Sequence, residues 1–311
     1  MIRVFIDGQE GTTGLQIRER LLRHPDVELM EIDPALRKDV AERKKRINEA
    51  DCVFLCLPDA AAIEAVTLVE NPKVCVIDAS TAHRTASGWD YGFAELSKAH
   101  RAAIASSKRI ANPGCHATGF IASVYPLVKC GIAAPSYPFT AHSITGYSGG
   151  GKKMIAQYEQ TDRDAALESP RQYGLSLSHK HLPEMQKIPG LLQPPVFNPI
   201  VSDFYCGMAV SVPLYVDLLQ KKLSRQAMLD TLAEFYRDAR LVRVCDIPAD
   251  GFLPANARSG QPGLDLYVLG NDRQMTLVSV FDNLGKGASG AAVQNMNIAF
   301  GLDEGRSLLE E

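Results

Sequence analysis

The chain begins with a strand, a glycine-rich turn and a helix, and this order limits its possible folds more than any other feature. Residues 2–7 are a short apolar run, and Gly8, Gly11 and Gly14 follow before apolar residues recur at helical spacing. Glycines let the backbone turn sharply and approach a pyrophosphate, which then lies on the helix N-terminus. The spacing is GxxGxxG rather than the commoner GxGxxG. The pattern predicts a dinucleotide-binding unit in which these glycines contact the cofactor, although βα turns without a ligand also contain glycine.

The remaining sequence falls into two kinds of secondary-structure pattern. Apolar runs at 27–33, 51–58 and 74–78 are separated by helical stretches, as in a doubly wound parallel sheet. Later candidate strands are longer and less regularly separated by helices, which is typical of a mixed or antiparallel sheet. These candidates are residues 139–144, 206–216, 240–247, 264–269 and 275–281.

A length of 311 residues favours two domains. We predict an α/β fold that consists of a Rossmann-type doubly wound dinucleotide-binding domain and an α+β substrate domain with a mixed sheet. The predicted boundaries are 1–116 with 286–311 for the first domain, and 117–285 for the second.

Composition and charge exclude several classes of function. The formal net charge is -3, which provides no basic field for holding nucleic acid. No apolar run reaches the roughly 18 residues of a membrane helix, and the first residues lack the features of a signal peptide. The seven cysteines form no CxxC pair, so neither disulfides nor a zinc site is expected. We expect a cytoplasmic protein that acts on a small molecule, with no metal, membrane or nucleic-acid partner.

Cys115 is the most informative single residue. It follows the turn sequence Asn112-Pro113-Gly114, and apolar residues recur at helical spacing behind it. A thiol at a helix N-terminus meets unpaired backbone N–H groups and the positive end of the helix dipole, which favour the thiolate. We predict that Cys115 is a nucleophile rather than a buried core cysteine.

A second polar cluster spans residues 178–185. It contains His179, Lys180, His181 and Glu184, and histidine exchanges protons near neutral pH. Two histidines separated by one residue also suggest a metal site, but no third ligand stands at a familiar spacing. We predict an acid/base role beside Cys115 for His181 or His179, and a solvated loop is the alternative.

Charged residues after the second predicted strand bear on the choice of cofactor. NAD sites place an acidic residue in this region to bind the ribose 2′-hydroxyl, and Glu31 and Asp33 end the strand. Basic residues follow closely, beginning with Arg37, while Thr12 and Thr13 add hydroxyl donors for a 2′-phosphate. These residues favour NADP, and a solvated basic helix face is the alternative.

The segment 78–84 follows a predicted parallel strand, where open α/β sheets present ligand groups. We predict that Ser80 contacts the cofactor and that Arg84 binds a phosphate or carboxylate. The alternative for Arg84 is an ordinary surface position. Asn112, in the turn ahead of Cys115, is assigned to the substrate.

Two further loops carry small residues and hydrogen-bond donors. Residues 143–153 combine glycines with lysines, which suits an anionic substrate, although a mobile surface loop has the same composition. Residues 282–292 end a strand and open a helix through small residues, which permits close approach of a ligand or of another helix. The candidates are Ser148, Gly149 and Lys152 for the substrate, and Asn283, Lys286 and Gly287 for the cofactor.

Four ordered motifs resemble the N-acetyl-gamma-glutamyl-phosphate reductase family in its shorter form. They are NPGCHATG around Cys115, GYSGGGKKM from Gly146, HKHLPEM from His179 and DNLGKGASGAAVQNMN from Asp282. The resemblance spans nearly the whole chain, and aspartate-semialdehyde dehydrogenases are more distantly similar.

The resemblance implies a step of arginine biosynthesis in which NADPH reduces N-acetyl-glutamyl 5-phosphate to the 5-semialdehyde and phosphate is released. Cys115 matches the family nucleophile and forms a thioester in this scheme. His181 or His179 supplies and removes a proton, and Glu184 orients the imidazole. The family also implies a dimer or tetramer built through the second domain.

Three alternatives remain at this point. A related semialdehyde dehydrogenase acts on aspartyl phosphate or on an N-acetyl-aminoadipyl phosphate, because no local motif reports the length of the substrate. The second alternative is a regulatory protein that binds NADP without catalysis. The third is a structural subunit, which would have no reactive thiol.

Overall fold

The computed structural model describes residues 1–309, which divide into two compact units. The first unit is Met1–Pro113 together with the chain from Ala288 onward, and the second is Gly114–Gly287. The divisions lie a few residues from the predicted domain boundaries. The first division precedes Cys115 because the helix that begins there packs against strands of the second unit.

Six parallel strands form the sheet of the first unit. They are β1 (Ile2–Asp7), β2 (Val27–Met30), β3 (Cys52–Leu55), β4 (Cys75–Asp78), β5 (Asp90–Tyr91) and β6 (Arg109–Ala111). Their order is β2-β1-β3-β4-β6-β5, so the chain changes direction across the sheet between β1 and β3. Open α/β sheets bind ligands at the carboxyl ends of strands beside such a point.

Four helices follow strands of this sheet. They are α1 (Thr12–Leu22), α2 (Val40–Glu49), α3 (Asp59–Thr67) and α4 (Lys98–Ser106). Phe5, Val53 and Val76 pack with Ile47 of α2 and Ala62 of α3 in one apolar cluster. Every residue of β3 and β4 is buried, so both faces of the sheet are covered, as parallel sheets require.

Seven strands form the mixed sheet of the second unit. They are β7 (Thr140–Gly146), β8 (Arg171–Gln172), β9 (Val196–Ser202), β10 (Met208–Tyr215), β11 (Val242–Cys245), β12 (Leu264–Gly270) and β13 (Gln274–Phe281). The order is β11-β12-β13-β10-β7-β9-β8. The β11/β12 and β7/β9 pairs are parallel, and the other neighbours are antiparallel.

Helix α5 (Cys115–Lys129) packs on β10, β12 and β13. A Cβ on Gly119 would lie 2.5 Å from Val210 Cγ2, so glycine allows the helix to approach the sheet closely. The other helices of this unit are α6 (Gly151–Tyr158), α7 (Leu182–Lys187) and α8 (Arg225–Phe235).

The chain returns to the first unit in α9 (Gly290–Ala299), which follows a π-helical turn at Gly285–Ser289. Helix α9 packs against α1, α4 and β4. The parallel sheet and the mixed sheet confirm the predicted fold class. None of the helices within residues 1–309 is long and apolar enough to cross a membrane.

Candidate active site

Cys115 is the first residue of α5, which confirms the predicted helix N-terminus at this thiol. Gly114 has extended backbone angles (φ -78, ψ 146), and its N–H donates to Glu184 Oε2 at 3.1 Å. Glu184 is only 1% exposed, so this buried carboxylate holds the turn that presents the thiol. The role predicted for Glu184, orientation of an imidazole, stays a prediction, and its bond to Gly114 connects it to the turn before Cys115.

Gly287 lies directly against Cys115. A Cβ at this position would stand 2.9 Å from the Cβ of Cys115 and 3.3 Å from the carbonyl oxygen of Asp282. Only glycine fits without displacing the side chain of Cys115 or the backbone of Asp282. Within the second unit, the DNLGKG segment is therefore part of the surroundings of the thiol.

The two predicted histidines lie together beside a third. The ring centroids of His179 and His181 are 4.7 Å apart, and those of His116 are 5.4 Å from His179 and 5.6 Å from His181. The backbone N–H of His181 donates to His179 Nδ1 at 3.2 Å, which fixes the pair relative to each other. His181 is buried and His179 is half-buried. The arrangement places proton carriers around the residue that follows Cys115.

His116 was given no role from the sequence. Its side chain is 3% exposed, with Nδ1 2.7 Å from Ser143 Oγ and Nε2 2.6 Å from the Tyr173 hydroxyl. Burial, reinforced by charge at His179 and Lys180, lowers the pKa of His116 from 6.5 to about 3. His116 is therefore a neutral imidazole at neutral pH.

The sequence also indicated no role for Tyr173, whose hydroxyl bonds to His116. Burial raises the pKa of its hydroxyl, and negative charge at Cys115 raises it further. The only sequence signal for His116 was its place beside Cys115, and Tyr173 has no signal because it is 57 positions away from its partner.

The structure brings together three residues that were predicted for two different ligands. Asn283 Nδ2 donates to Ser148 Oγ at 3.1 Å, and a Cβ on Gly149 would lie 3.4 Å from the same nitrogen. Asn283 Oδ1 also accepts from the N–H of Gly207 at 2.8 Å. Lys152 is exposed in the first turn of α6. The side chain of Asn283 thus holds the loop that contains Ser148 and Gly149.

Lys286 is 2% exposed and lies in the π-helical turn Gly285–Ser289, directly before Gly287. A buried lysine so close to Gly287 is unlike the solvated residue that a surface loop would carry. Its contact with a cofactor stays a prediction.

In the first unit, the segment after β4 is anchored by the buried carboxylate of Asp78. Ser80 Oγ donates to Asp78 Oδ2 at 2.7 Å, and His83 Nδ1 lies 2.6 Å from the same oxygen. Arg84 is buried, so the alternative of a surface arginine is wrong. Its Nε donates to the carbonyl oxygen of Asn112 at 3.0 Å.

The Asn112 side chain is bonded within the protein at both ends. Its Nδ2 donates to the carbonyl oxygen of Ala288 at 3.0 Å, and its Oδ1 accepts from Asn295 Nδ2 at 3.2 Å. This geometry supports a positioning role for Asn112 more than the substrate contact that the sequence suggested.

The glycine turn lies beside a cavity of about 460 Å³ in the first unit. Gly8 has φ +90, and a Cβ there would lie 2.4 Å from the carbonyl oxygen of Cys56. A Cβ on Gly14 would lie 2.6 Å from the carbonyl oxygen of Gly8, whereas one on Gly11 would have 3.5 Å of clearance. The first and third glycines are therefore required by the turn itself, and Gly11 is not.

Of the predicted cofactor contacts, Gly8, Gly11 and Arg37 line this cavity, whereas Thr12 and Thr13 follow in the first turn of α1 and do not line it. Arg37 lines it together with Lys38, and Arg37 forms an ion pair with Glu10. The hydroxyl of Thr12 is buried and has no hydrogen-bond partner among the residues that the structure describes. Thr13 is half-buried in the first turn of α1. An unpartnered hydroxyl at a helix N-terminus suits an oxygen-rich ligand.

The basic residues after Arg37 are not one solvated helix face. Arg43 is buried against Asp7, with Nη2–Oδ2 at 2.9 Å, and burial raises the pKa of that carboxyl. Lys44 pairs with Glu70 at 2.5 Å. Arg37, Lys38 and Arg43 all line the cavity, and Arg43 is the one of the three that is buried and paired with Asp7. Across residues 1–309, no group of three histidine, cysteine or carboxylate side chains is arranged to hold a metal ion.

Two family models match the chain. The semialdehyde dehydrogenase NAD-binding domain matches residues 34–105, and the semialdehyde dehydrogenase dimerisation domain matches residues 115–283. Aspartate semialdehyde dehydrogenase from Francisella tularensis has a TM-score of 0.72 at 14% sequence identity and covers 96% of this chain and 99% of that chain. This likeness shows a shared fold.

Two curated relatives are much more similar in sequence. N-acetyl-gamma-glutamyl-phosphate reductase 2 from Nostoc sp. is 45% identical over 314 residues, which cover 97% of this chain and 98% of the relative. The protein of the same name from Pseudomonas putida is 45% identical over 305 residues, which cover 96% of each chain. Because these alignments cover nearly the whole of this chain and of each relative, the chain belongs to the N-acetyl-gamma-glutamyl-phosphate reductase family.

Proposed function

We propose that this oxidoreductase catalyses the NADPH-dependent reduction of N-acetyl-L-glutamyl 5-phosphate to N-acetyl-L-glutamate 5-semialdehyde, with release of phosphate, in arginine biosynthesis. The observation that carries the proposal is the thiol of Cys115 at the start of α5, with His179 and His181 beside the neighbouring His116. The names of relatives that are 45% identical over nearly the full chain support the same substrate.

The first half of the reaction belongs to Cys115. Its thiolate attacks the carbonyl carbon of the acyl phosphate, the bond from that carbon to the phosphate oxygen breaks, and phosphate leaves. The product is a thioester between Cys115 and the acyl group. The dipole of α5 and the backbone N–H groups of its first turn favour the thiolate that this step requires.

When bound, NADPH supplies the hydride that reduces the thioester carbon. We assign His181 as the group that protonates the resulting oxygen and removes that proton as the aldehyde leaves and the Cys115 thiolate is restored. His179 bonds to the backbone of His181 and is the second candidate. Glu184 fixes the turn before the thiol.

The cofactor contacts remain proposals. We assign the pyrophosphate to the glycine turn with the hydroxyls of Thr12 and Thr13, and a 2′-phosphate to Arg37. Ser80 and the segment that contains Asn283, Lys286 and Gly287 are assigned to the same ligand. The unpartnered Thr12 hydroxyl and the cavity beside Arg37 support this assignment and the preference for NADP.

The anionic substrate is assigned to Arg84, Ser148, Gly149 and Lys152. Arg84 is buried with its guanidinium oriented by two backbone carbonyls, Asn112 and Ala79, which pre-organises it for an anion. Asn112 takes part by holding Arg84 rather than by direct contact.

We further propose that the protein acts as a homo-oligomer, a dimer or tetramer, in the cytoplasm. The name of the family model that matches residues 115–283 supports assembly through the second unit. All seven cysteines are free thiols, which suits a reducing compartment.

A reverse assay tests the activity. NADP reduction is followed with N-acetyl-glutamate semialdehyde, with aspartate semialdehyde and with the N-acetyl-aminoadipate analogue, each with and without phosphate. We expect the first aldehyde to react fastest and only in the presence of phosphate. A faster reaction with either other aldehyde would reassign the substrate, turnover without phosphate would exclude the acyl phosphate, and binding of NADP without turnover would favour a regulator.

A further inference from the structure

The cavity in the first unit is bordered by two turns that follow neighbouring strands. Glu10 lies in the glycine turn after β1, between Gly8 and Gly11, and Arg37 lies in the turn after β2. Because β1 and β2 pair in parallel, both turns lie at the same edge of the sheet. The carboxylate of Glu10 forms an ion pair with the guanidinium of Arg37, and both residues line the cavity.

Backbone hydrogen bonds hold both turns. The N–H of Gly11 donates to the carbonyl oxygen of Gly8 at 3.1 Å, across the first turn. The N–H of Asp39 donates to the carbonyl oxygen of Leu36 at 2.8 Å, across the second. The ion pair therefore joins two ordered turns, and rotation of its side chains is enough to open it.

A second ion pair at the same cavity is fixed. Nε and Nη2 of Arg43 both donate to Asp7 Oδ2, at 3.1 and 2.9 Å, and the two residues are 7% and 4% exposed. Separating them would leave two buried charges without counter-charges, which is strongly unfavourable. The side chains of Glu10 and Arg37 are 56% and 46% exposed instead, and an exposed ion pair is weak. Of the two arginines, Arg37 is thus the one that can exchange its carboxylate for another anion.

The charges that line the cavity indicate which anion Arg37 would accept. The cations are Arg37, Lys38 and Arg43, and the carboxylates are Asp7 and Glu10. Because Asp7 is committed to Arg43, Glu10 is the carboxylate that reduces the remaining positive charge. A phosphate monoester carries more negative charge than a carboxylate and binds a guanidinium through two parallel hydrogen bonds. A phosphate can therefore displace Glu10 from Arg37, although Glu10 weakens its binding by occupying the guanidinium.

We propose that Glu10 is a specificity-determining residue that competes with the cofactor 2′-phosphate for Arg37 and so limits the preference for NADP over NAD. The proposal deepens the function proposed above and rests on its assignment of the 2′-phosphate to Arg37. No covalent bond changes in the exchange, because the guanidinium only replaces one anionic partner with another. The released carboxylate is already more than half exposed, so water solvates it at little cost.

The primary test compares two nucleotides that differ only in the 2′-phosphate. Adenosine 2′,5′-bisphosphate and adenosine 5′-monophosphate are titrated into the parent protein and into Glu10→Gln, and isothermal titration calorimetry gives each Kd. Glutamine keeps the size of the side chain and removes its charge. We expect Glu10→Gln to bind the bisphosphate about fivefold more tightly and the monophosphate within about twofold of the parent value. A gain of less than about twofold for the bisphosphate, or an equal gain for both nucleotides, overturns the proposal.

Glu70→Gln is a matched control. Glu70 pairs with Lys44 at 2.5 Å, and the two side chains are 67% and 43% exposed, similar to those of Glu10 and Arg37. Neither Glu70 nor Lys44 lines the cavity. This variant should bind both nucleotides as the parent protein does. A gain equal to that of Glu10→Gln would show that net charge alone sets the affinity, and would also reject the proposal.

The double variant Glu10→Gln, Arg37→Ala separates competition for the guanidinium from simple repulsion of the phosphate. If Glu10 acts by occupying Arg37, its replacement should matter little once Arg37 is absent. We expect Glu10→Gln to change the affinity for the bisphosphate by less than about twofold in the Arg37→Ala background. The same gain of about fivefold in both backgrounds would contradict competition for Arg37.

The nucleotide titrations also separate this proposal from the function on which it rests. If Arg37→Ala weakens binding of the bisphosphate and Glu10→Gln changes nothing, only the role of Glu10 fails. If Arg37→Ala weakens neither nucleotide, or both equally, the assignment of the 2′-phosphate fails and the role of Glu10 fails with it. Nucleotide binding needs no turnover, so inactivity with all three aldehydes would reject the proposed activity without changing this result.

Discussion

The first turns of α1 and α5 have similar backbones and different chemistry. The residues that precede them, Gly11 and Gly114, are both extended, with φ/ψ of -70/160 and -78/146. Neither helix has a side-chain cap among the described residues. Helices α2, α4 and α8 instead have the usual caps, since the side chains of Asp39, Ser97 and Ser224 accept from their first turns.

The difference lies in where the negative charge comes from. Helix α5 begins with its own ionisable group, the thiol of Cys115, and Glu184 binds the N–H just ahead of it. Helix α1 has no acidic residue in its first turn, and the buried hydroxyl of Thr12 has no hydrogen-bond partner within residues 1–309. Gly11, which precedes Thr12, lines the same cavity as Arg37. In the proposed reaction, an uncapped helix N-terminus activates an internal nucleophile in one unit and binds an external anion in the other.

The largest expected effect comes from removing the charge at α5. Cys115→Ser should lower turnover by at least about 1,000-fold, because an alcohol is not ionised by a helix dipole, while NADPH binding changes little. Turnover and NADPH fluorescence titration measure the two quantities. Cys245→Ser, at another partly exposed thiol of the same unit, is the control and should have normal turnover. Near-normal turnover of Cys115→Ser would refute the thioester mechanism.

At α1 the corresponding change removes a cation from the cavity. Arg37→Ala should weaken NADPH binding by roughly 10- to 100-fold and leave NADH binding unchanged, since only the former has a 2′-phosphate. Titration of both cofactors measures the change. Arg18→Ala is the control, because Arg18 also pairs with an exposed glutamate, Glu31 at 2.9 Å, but does not line the cavity. Equal losses for NADPH and NADH would remove Arg37 from the 2′-phosphate site.

Most of the fold could be predicted because its pattern is local. Strands β1, β3 and β4 are buried apolar runs between helices, which periodicity detects. Strand β9 was missed because Pro199 interrupts its sequence, and a proline argues against a strand that pairs on both sides. Strand β2 ends at Met30 rather than at residue 33, because Asp33-Pro34 forms a turn in which Asp33 Oδ1 accepts from Ala35.

Residues of the candidate site could be predicted only where their chemistry depends on residues adjacent in the sequence. Cys115 and the glycine turn each depend on a few consecutive residues, and the structure places both at helix N-termini. The bond between His116 and Tyr173 joins positions 57 residues apart. The position of Tyr173 depends on the pairing of β8 with β9, which neither local sequence reveals. The basic residues after Arg37 look alike in the sequence, but Arg43 is buried against Asp7 and Lys44 pairs with Glu70. Composition does not reveal these tertiary contacts.

A methyl group added at Gly11 tests whether a cofactor approaches the turn before α1. Gly11→Ala adds a Cβ that meets nothing closer than 3.5 Å in the protein, so the free energy of unfolding should not change. If a pyrophosphate approaches this turn, the same Cβ should weaken NADPH and NADH binding about tenfold each. Gly14→Ala would collide with Gly8 within the turn and should also destabilise the protein. Unaltered affinity in Gly11→Ala would mean that the cofactor does not approach this residue.

The smallest expected effect is the pH dependence of the free energy of unfolding that comes from His116. Because the pKa of His116 is lowered to about 3 in the folded protein, the unfolded chain binds one more proton between that value and about 6.5. Its contribution to stability is therefore complete above about pH 6.5 and is lost progressively as the pH falls toward 3. Between pH 7.5 and pH 6, this one group should lower the free energy of unfolding by about 0.8 kcal/mol.

Urea unfolding of the parent protein and of His116→Gln at both pH values measures this contribution as the difference between their pH dependences. Glutamine does not titrate, and all other ionisable groups are common to the two proteins, so the parent should lose more stability on acidification. Equal losses would mean that His116 accepts a proton in the folded state. The charge around the α5 N-terminus would then depend on pH in a way that the charge around the α1 N-terminus does not.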